Sequence, residues 1–430
     1  MRTTALHRRR NQRSQRARAS GDARRAAALL LAASAITTTG AQRAFAEEIP
    51  EHFTAVRPIG MGDAFTAVAN DESSVWTNPA GIARSRKARS RGVFNVTKFP
   101  NVIAGANAEG RAFYQGYKGT QDKSIEGILA ETEDLGDKPF WARASVFPVA
   151  LFDFGRDTPM AFGIYSNTTA KAVIPTDTPE VARVETVADL GGVLTFGVTD
   201  NENRLNAGIS VRPVARYAYE DRIPSEDLLN KDTMKTRLAD DSNKSQALGV
   251  DLGLLYTVAD FWYPTIGLAV LNLPTGCRDG YLNPFTEKPE NVCGTVYKGD
   301  FANEDALSTV DPTDVRAGLA ITPRLGRKLA LRFAVDVHHL PVGSTEQSYG
   351  LTGIEASKLV HAGVELFVGN PLQVSPFSLR AGYSQGFATA GATVDLGFLE
   401  VEFATYGRDV SSTATPIEDR RYLGSVSFDF

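Results

Sequence analysis

The sequence reads as all-β: a transmembrane antiparallel β-barrel of about 14 strands. Three observations carry that reading. The chain opens with an export leader, it repeats short amphipathic segments separated by turn residues, and it ends on an aromatic residue. Composition alone, 43% hydrophobic and 22% charged over 430 residues, would pass for a soluble protein.

The leader comes first because it distorts the charge balance. An Arg-rich stretch precedes a short apolar run from Ala26 to Ile36, and Ala44-Phe45-Ala46 forms a small-x-small cleavage signal before Glu47. That order is the one of a secretory signal peptide, so residues 1–46 are expected to be removed. The long basic region leaves an N-terminal anchor as the alternative, although the apolar run is shorter than the roughly 20 residues a spanning helix needs. Without the leader, 36 basic residues face 49 acidic ones, a net charge of −13. Such a chain is ill suited to nucleic acid, which needs a basic surface.

Cys277 and Cys293 lie in a stretch rich in Gly, Pro, Asn and Asp. In an exported protein they read as one disulfide. Two cysteines are too few for a metal site, and His338, His339 and His361 stand far from them in sequence, so neither a metal nor a cofactor is expected.

Beyond the leader, Gly and charged residues interrupt every apolar run, which excludes membrane-spanning helices. Side chains on a strand alternate between two faces. In the last segment Tyr422, Gly424, Val426, Phe428 and Phe430 share one face, and Leu423, Ser425, Ser427 and Asp429 the other. Leu329, Leu331, Phe333 and Val335 oppose Arg332, Asp336 and His338; Phe377, Leu379 and Tyr383 oppose Ser378, Arg380 and Ser384; Leu399, Val401 and Phe403 oppose Glu400 and Glu402. A soluble sandwich alternates in the same way. The leader, the terminal aromatic and the length of the array favour the membrane.

Phe428 and Phe430 resemble the signal that barrel-assembly machinery reads in outer-membrane proteins. Strand centres run from about residue 110 to about 426, with short and long connections alternating in most places, as in bacterial barrels. Long loops are expected at about 119–140, 221–243, 274–312, 341–355 and 411–419, all on the external side, two of them partly helical (Ser124 to Leu135, Pro224 to Leu238).

Ahead of the first strand stand Gly60-Met61-Gly62-Asp63-Ala64 and, further on, Asn78-Pro79-Ala80-Gly81. Glycine allows a close backbone approach, and Pro79 fixes its own φ and restricts Asn78. No Gly-Lys-Ser/Thr follows, so this is no phosphate loop. These motifs resemble the long-chain fatty-acid transporter superfamily of outer-membrane barrels and its relatives in type IX secretion. Softer similarity lies in Gly267-Leu268-Ala269-Val270-Leu271-Asn272 and Leu379-Arg380-Ala381-Gly382-Tyr383.

The resemblance implies an N-terminal hatch, residues 47–100, that plugs a barrel of residues 101–430. It also implies a channel for hydrophobic, fatty-acid-like compounds. The rival is a scaffold or secretion accessory whose barrel holds a secreted or periplasmic protein. An enzyme is not expected: Arg316, Arg332, Asp336, His338, His361, Glu365, Arg380, Glu400 and Glu402 fall on inward faces with mixed signs, which reads as an ion-pair network filling the lumen.

Overall fold

The computed structural model describes residues 48–429 apart from 50, 86–93, 120–124, 126, 129–137, 155–157, 176–177, 201, 284, 287, 301–308, 327, 344–347, 369–374 and 412–415. The leader, its cleavage site, the terminal Phe430 and most of the helix expected over Ser124 to Leu135 lie outside the described residues.

Fourteen antiparallel strands close into a barrel. In chain order they are β1 (Phe94–Asn107), β2 (Phe140–Val146 continuing as Val149–Phe154), β3 (Thr158–Val173), β4 (Val181–Thr199), β5 (Leu205–Pro224), β6 (Asn243–Thr257) and β7 (Thr265–Leu271). There follow β8 (Asp314–Ile321), β9 (Leu329–Val337), β10 (Val360–Val368), β11 (Phe377–Ser384), β12 (Phe387–Asp395), β13 (Leu399–Asp409) and β14 (Glu418–Asp429). Neighbours in sequence are neighbours in the wall, and β1 pairs with β14 from Lys98↔Asp429 to Asn107↔Arg421, so the sheet has no edge.

The break in β2 has a local cause. Pro148 has no N–H to donate, and the ladder resumes around it through Phe147 N–H to the Asn101 carbonyl (2.8 Å) and Ile164 N–H to the Pro148 carbonyl (3.2 Å).

Two expectations need correction. The first strand is centred several residues earlier than about 110, because Ala108–Gly119 is a helix. Its signal is Asn107, whose Oδ1 accepts from Gly110 N–H at 2.8 Å as a helix cap does. Correspondingly, β1 starts at Phe94, ahead of the boundary drawn at residue 100.

The faces decide between barrel and sandwich. Phe162, Leu190, Leu254, Leu268, Phe333, Leu379, Phe403, Val426 and Phe428 are exposed on the outside, whereas Arg332, Asp336, Arg380, Ser378, Ser425 and Ser427 are buried inside. A soluble sandwich buries its apolar faces. This wall turns its apolar side out and its polar side in, the arrangement of a transmembrane barrel.

One end of the barrel carries the start of β1, the end of β14 and mostly short turns. The other carries the long loops, including the 3-10 turn Ser225–Leu229 and helix Lys231–Asp240 within the segment expected to be partly helical. At this loop end, Gly276–Leu282, Pro289–Val296, Val310–Pro312, Val342–Gly343 and Ser348–Tyr349 form a second, smaller sheet. Cys277 and Cys293 face each other in it and are bonded (S–S 2.06 Å), as expected from the sequence.

Candidate functional site

The lumen is filled by residues 48–85. This N-terminal segment starts at the loop end, where Ile49 packs with Tyr281, Phe285, Val292 and Leu351 of the smaller sheet and its flanks. It descends through the helical turns Val56–Gly60, Ser74–Thr77 and Pro79–Ala83 to the turn end, where Arg84 bonds Thr257.

Glycines in the wall make room for it. Gly197, Gly208 and Gly253 stand in register on β4, β5 and β6; Gly267 and Gly318 pair on β7 and β8; Gly363 and Gly382 pair on β10 and β11. A Cβ added at Gly208, Gly253, Gly267, Gly363 or Gly382 would come within 2.5 Å of Pro79, Asn78, Thr66, Met61 or Gly62 respectively. Segment backbone therefore lies directly on wall backbone. The same holds from the other side at Gly62. Its φ is +68°, and a Cβ there would meet the Ala362 and Tyr383 carbonyls at 2.4 and 2.5 Å.

The second motif is an anchor. Asn78 is fully buried, and its Nδ2 donates to the carbonyls of Thr66 (2.8 Å), Leu254 and Leu268 (both 3.3 Å). Its Oδ1 accepts from Ala80 N–H (3.1 Å) and so caps the Pro79–Ala83 turn. Ala80 and Gly81 are buried behind it, with Gly81 pressed on Ala69 and Ser74.

The charged residues expected to form one lumen network divide into two clusters, one on each side of the glycine positions. Towards the turn end, Glu365 accepts from Arg57 (3.1 and 3.0 Å), Arg332 (2.5 Å) and Arg380 (2.9 Å). Arg380 also lies 3.7 Å from Glu402, and Lys98 bridges Glu400 and Glu72. Arg316, Asp336, His338 and His361 sit apart from these, closer to the loop end, around Asp63.

Sequence reasoning missed the segment's own charges. Glu48 is gripped by Arg421, Glu51 by Arg408, and Arg143 reaches Thr54 and Asn167; His52 sits beside Asp189, Asp311 and Arg216. Burial pushes the Glu48 carboxyl up, but Arg421 more than reverses this and holds it at about 2. These groups border a cavity of about 270 Å3 between the segment and the barrel wall, with Val310, Asp311 and Pro312 of the smaller sheet at its margin. Its lining is mixed: the aromatic side chains Phe53, Trp76, Trp141 and Tyr406 stand among charged groups such as Arg143, Asp189, Arg216 and Arg408. Phe53 stacks on Trp76 (4.3 Å, 14°), and Trp76 meets Tyr165 and Phe147 edge-on. A smaller cavity of about 80 Å3 lies on the turn-end side among Arg57, Lys98, Arg332 and Glu402.

By sequence, no protein-family model and no curated protein matches the chain. By structure, a mutant of the TodX monoaromatic hydrocarbon channel superposes with a TM-score of 0.52 at 11% identity, covering 87% of this chain and 98% of that one. This chain has the fold of that channel. The Ralstonia pickettii toluene transporter TbuX (TM-score 0.48, 12% identity, 88% and 98% covered) and the Pseudomonas putida toluene transporter TodX (0.48, 11%, 89% and 99%) are also similar.

Proposed function

We propose that the chain is an outer-membrane channel for the uptake or passage of hydrophobic compounds, with residues 48–85 as its hatch, and that it is not an enzyme. The observation that carries this reading is the cavity of about 270 Å3, lined by aromatic as well as charged side chains, inside an inside-out barrel whose lumen is occupied below it by the N-terminal segment. The shared fold with a channel for monoaromatic hydrocarbons supports the same class of cargo. A compound entering from the loop end would rest on Phe53 and Trp76, and would leave when the segment shifts or the wall opens sideways. Assembly would use the C-terminal aromatic signal, and the outer face would meet lipid.

The closed state depends on backbone contact at Gly62, so bulk there tests the hatch. Gly62→Trp, or deletion of residues 53–85, should raise single-channel conductance in planar bilayers while the barrel still assembles. A channel equally closed after the deletion would show that the loops form the seal, and would favour a barrel that holds a protein partner. Export is checked separately: the mature chain should begin at or near Glu47 and fractionate with outer membranes.

A further inference from the structure

Asp63, His338 and His361 are remote in sequence and meet inside the barrel. All three are buried, and one candidate ligand atom from each lies within 4.8 Å of the others. Asp63 follows Gly62 in a left-handed turn (φ 60°), His338 comes directly after β9, and His361 stands on β10 opposite Asp336. The two imidazoles lie face to face, with centroids 4.0 Å apart.

Their hydrogen bonding is incomplete in a directed way. Nδ1 of His361 is 2.9 Å from the Gly62 carbonyl, which can only accept, so Nδ1 carries the proton and Nε2 presents a lone pair. That Nε2 is buried without a hydrogen-bond partner, as are Nε2 of His338 and Oδ1 of Asp336. His338 has Asp63 Oδ2 3.5 Å from Nδ1 and Asp336 Oδ2 3.5 Å from Nε2, both beyond good hydrogen-bond length. Native interiors rarely leave several polar atoms unsatisfied around one point.

We propose that Asp63, His338 and His361 bind one transition-metal ion of the zinc class, tying the N-terminal segment to the wall. The Asp63 carboxylate, His338 Nδ1 and His361 Nε2 are the ligands, and a water takes the fourth position. Two imidazoles and a carboxylate suit zinc and its neighbours, whereas calcium and magnesium select oxygen ligands. The outer partners are already in place: the Gly62 carbonyl orients His361, and Asp336 faces the other ring nitrogen of His338, as carboxylates commonly do behind metal-bound histidines. Metal bonds of about 2.0–2.1 Å require the ligands to close by roughly 1 Å and the stacked rings to turn. Arg316, 3.7 Å from the Asp63 carboxylate, opposes a cation there, but Asp314 holds it at 2.6 Å. Asp63 and Asp336 supply two carboxylates against that one guanidinium.

The test uses the full mature chain, refolded in detergent without metal and then dialysed against Zn2+. The expected result is one zinc per chain, and X-ray absorption should show two imidazoles with oxygen around it. Asp63→Asn and His361→Gln should each weaken binding by about 100-fold or more, and Asp336→Asn by about 10–100-fold. His339→Ala should bind as the wild type does, since His339 lies beside Asp314. No retained zinc in the wild type, a shell without imidazole, or undiminished binding by a folded Asp63→Asn variant would each overturn the proposal. The absorption measurement on wild type decides the matter even if a variant does not fold.

Discussion

Charged groups hold the N-terminal segment near both ends of the lumen, and the two ends are built differently. Towards the turn end, three guanidiniums share one carboxylate, Glu365, and the neighbouring cavity is only about 80 Å3. Towards the loop end, Glu48 and Glu51 are each held by arginines of the wall, at the edge of a cavity of about 270 Å3. Buried charge must be paired wherever it occurs. In a tight, shared arrangement, however, removing one member unbalances the others, whereas beside a larger cavity water or a ligand can replace a lost partner. The turn-end cluster is therefore an anchor, and the loop-end pairs are contacts that can be exchanged.

The sharpest way to break this contrast is Glu365→Ala. It removes the carboxylate that Arg57, Arg332 and Arg380 share and should cost about 3–5 kcal/mol, read as a lower temperature for the heat-induced mobility shift of the folded barrel. A loss below that of the loop-end variants would abolish the distinction.

Next comes Gly363→Leu. It changes no charge but drives a side chain into the Met61 backbone. Overpacking of this kind costs about 1–3 kcal/mol, and conductance should rise with it. Unchanged conductance would mean that the glycine contacts are incidental.

Glu48→Gln should have a smaller effect on heat resistance but should speed hydrogen exchange over residues 48–55. Its pH dependence has a definite sign. The Glu48 carboxyl is held at about 2 against an ordinary 4.5, so its contribution is complete above the ordinary value and is lost as pH falls through about 2. In the wild type, protection over this stretch, corrected for the intrinsic pH dependence of exchange, should fall progressively as pH drops from about 4.5 to about 2 and level off below that. Protection that does not change between pH 5 and pH 2 would contradict it.

The smallest effect belongs to Arg183→Ala, whose pairing with Glu220 is largely exposed (59% and 47%). A change in heat resistance beyond about 1 kcal/mol would show that surface pairs matter here more than they generally do.

Much of the wall was legible because period-two alternation survives wherever one face meets lipid and the other polar groups. Phe333 against Arg332 and Leu379 against Arg380 are clear cases. The first strand was misplaced because Phe113 and Tyr114 look strand-like unless Asn107 is read as a cap. The wall glycines carried a usable signal, since an isolated glycine inside a strand often marks close backbone approach. What they receive lies far away in sequence. Sequence places His338 and His361 on inward faces but does not bring them together with Asp63, because separation along the chain is a poor guide where the register puts Asp336 opposite His361. Glu48 and Glu51 could not be assigned at all, because nothing local announces a partner such as Arg421.

The seam between β1 and β14 has a consequence for how the molecule is made. The enclosed segment precedes β1, so the residues inside the ring are synthesised before any of the wall, and the hydrogen bonds that complete the ring are made by the strand synthesised last. The segment's upper end already reaches Ile49's pocket beneath the smaller sheet. Either the sheet curls around a waiting tenant and locks it in with its final strand, or the tenant threads a finished ring past contacts with no spare width. Closing the circle around material already inside asks less of the chain, and makes β14 both the last stave and the latch.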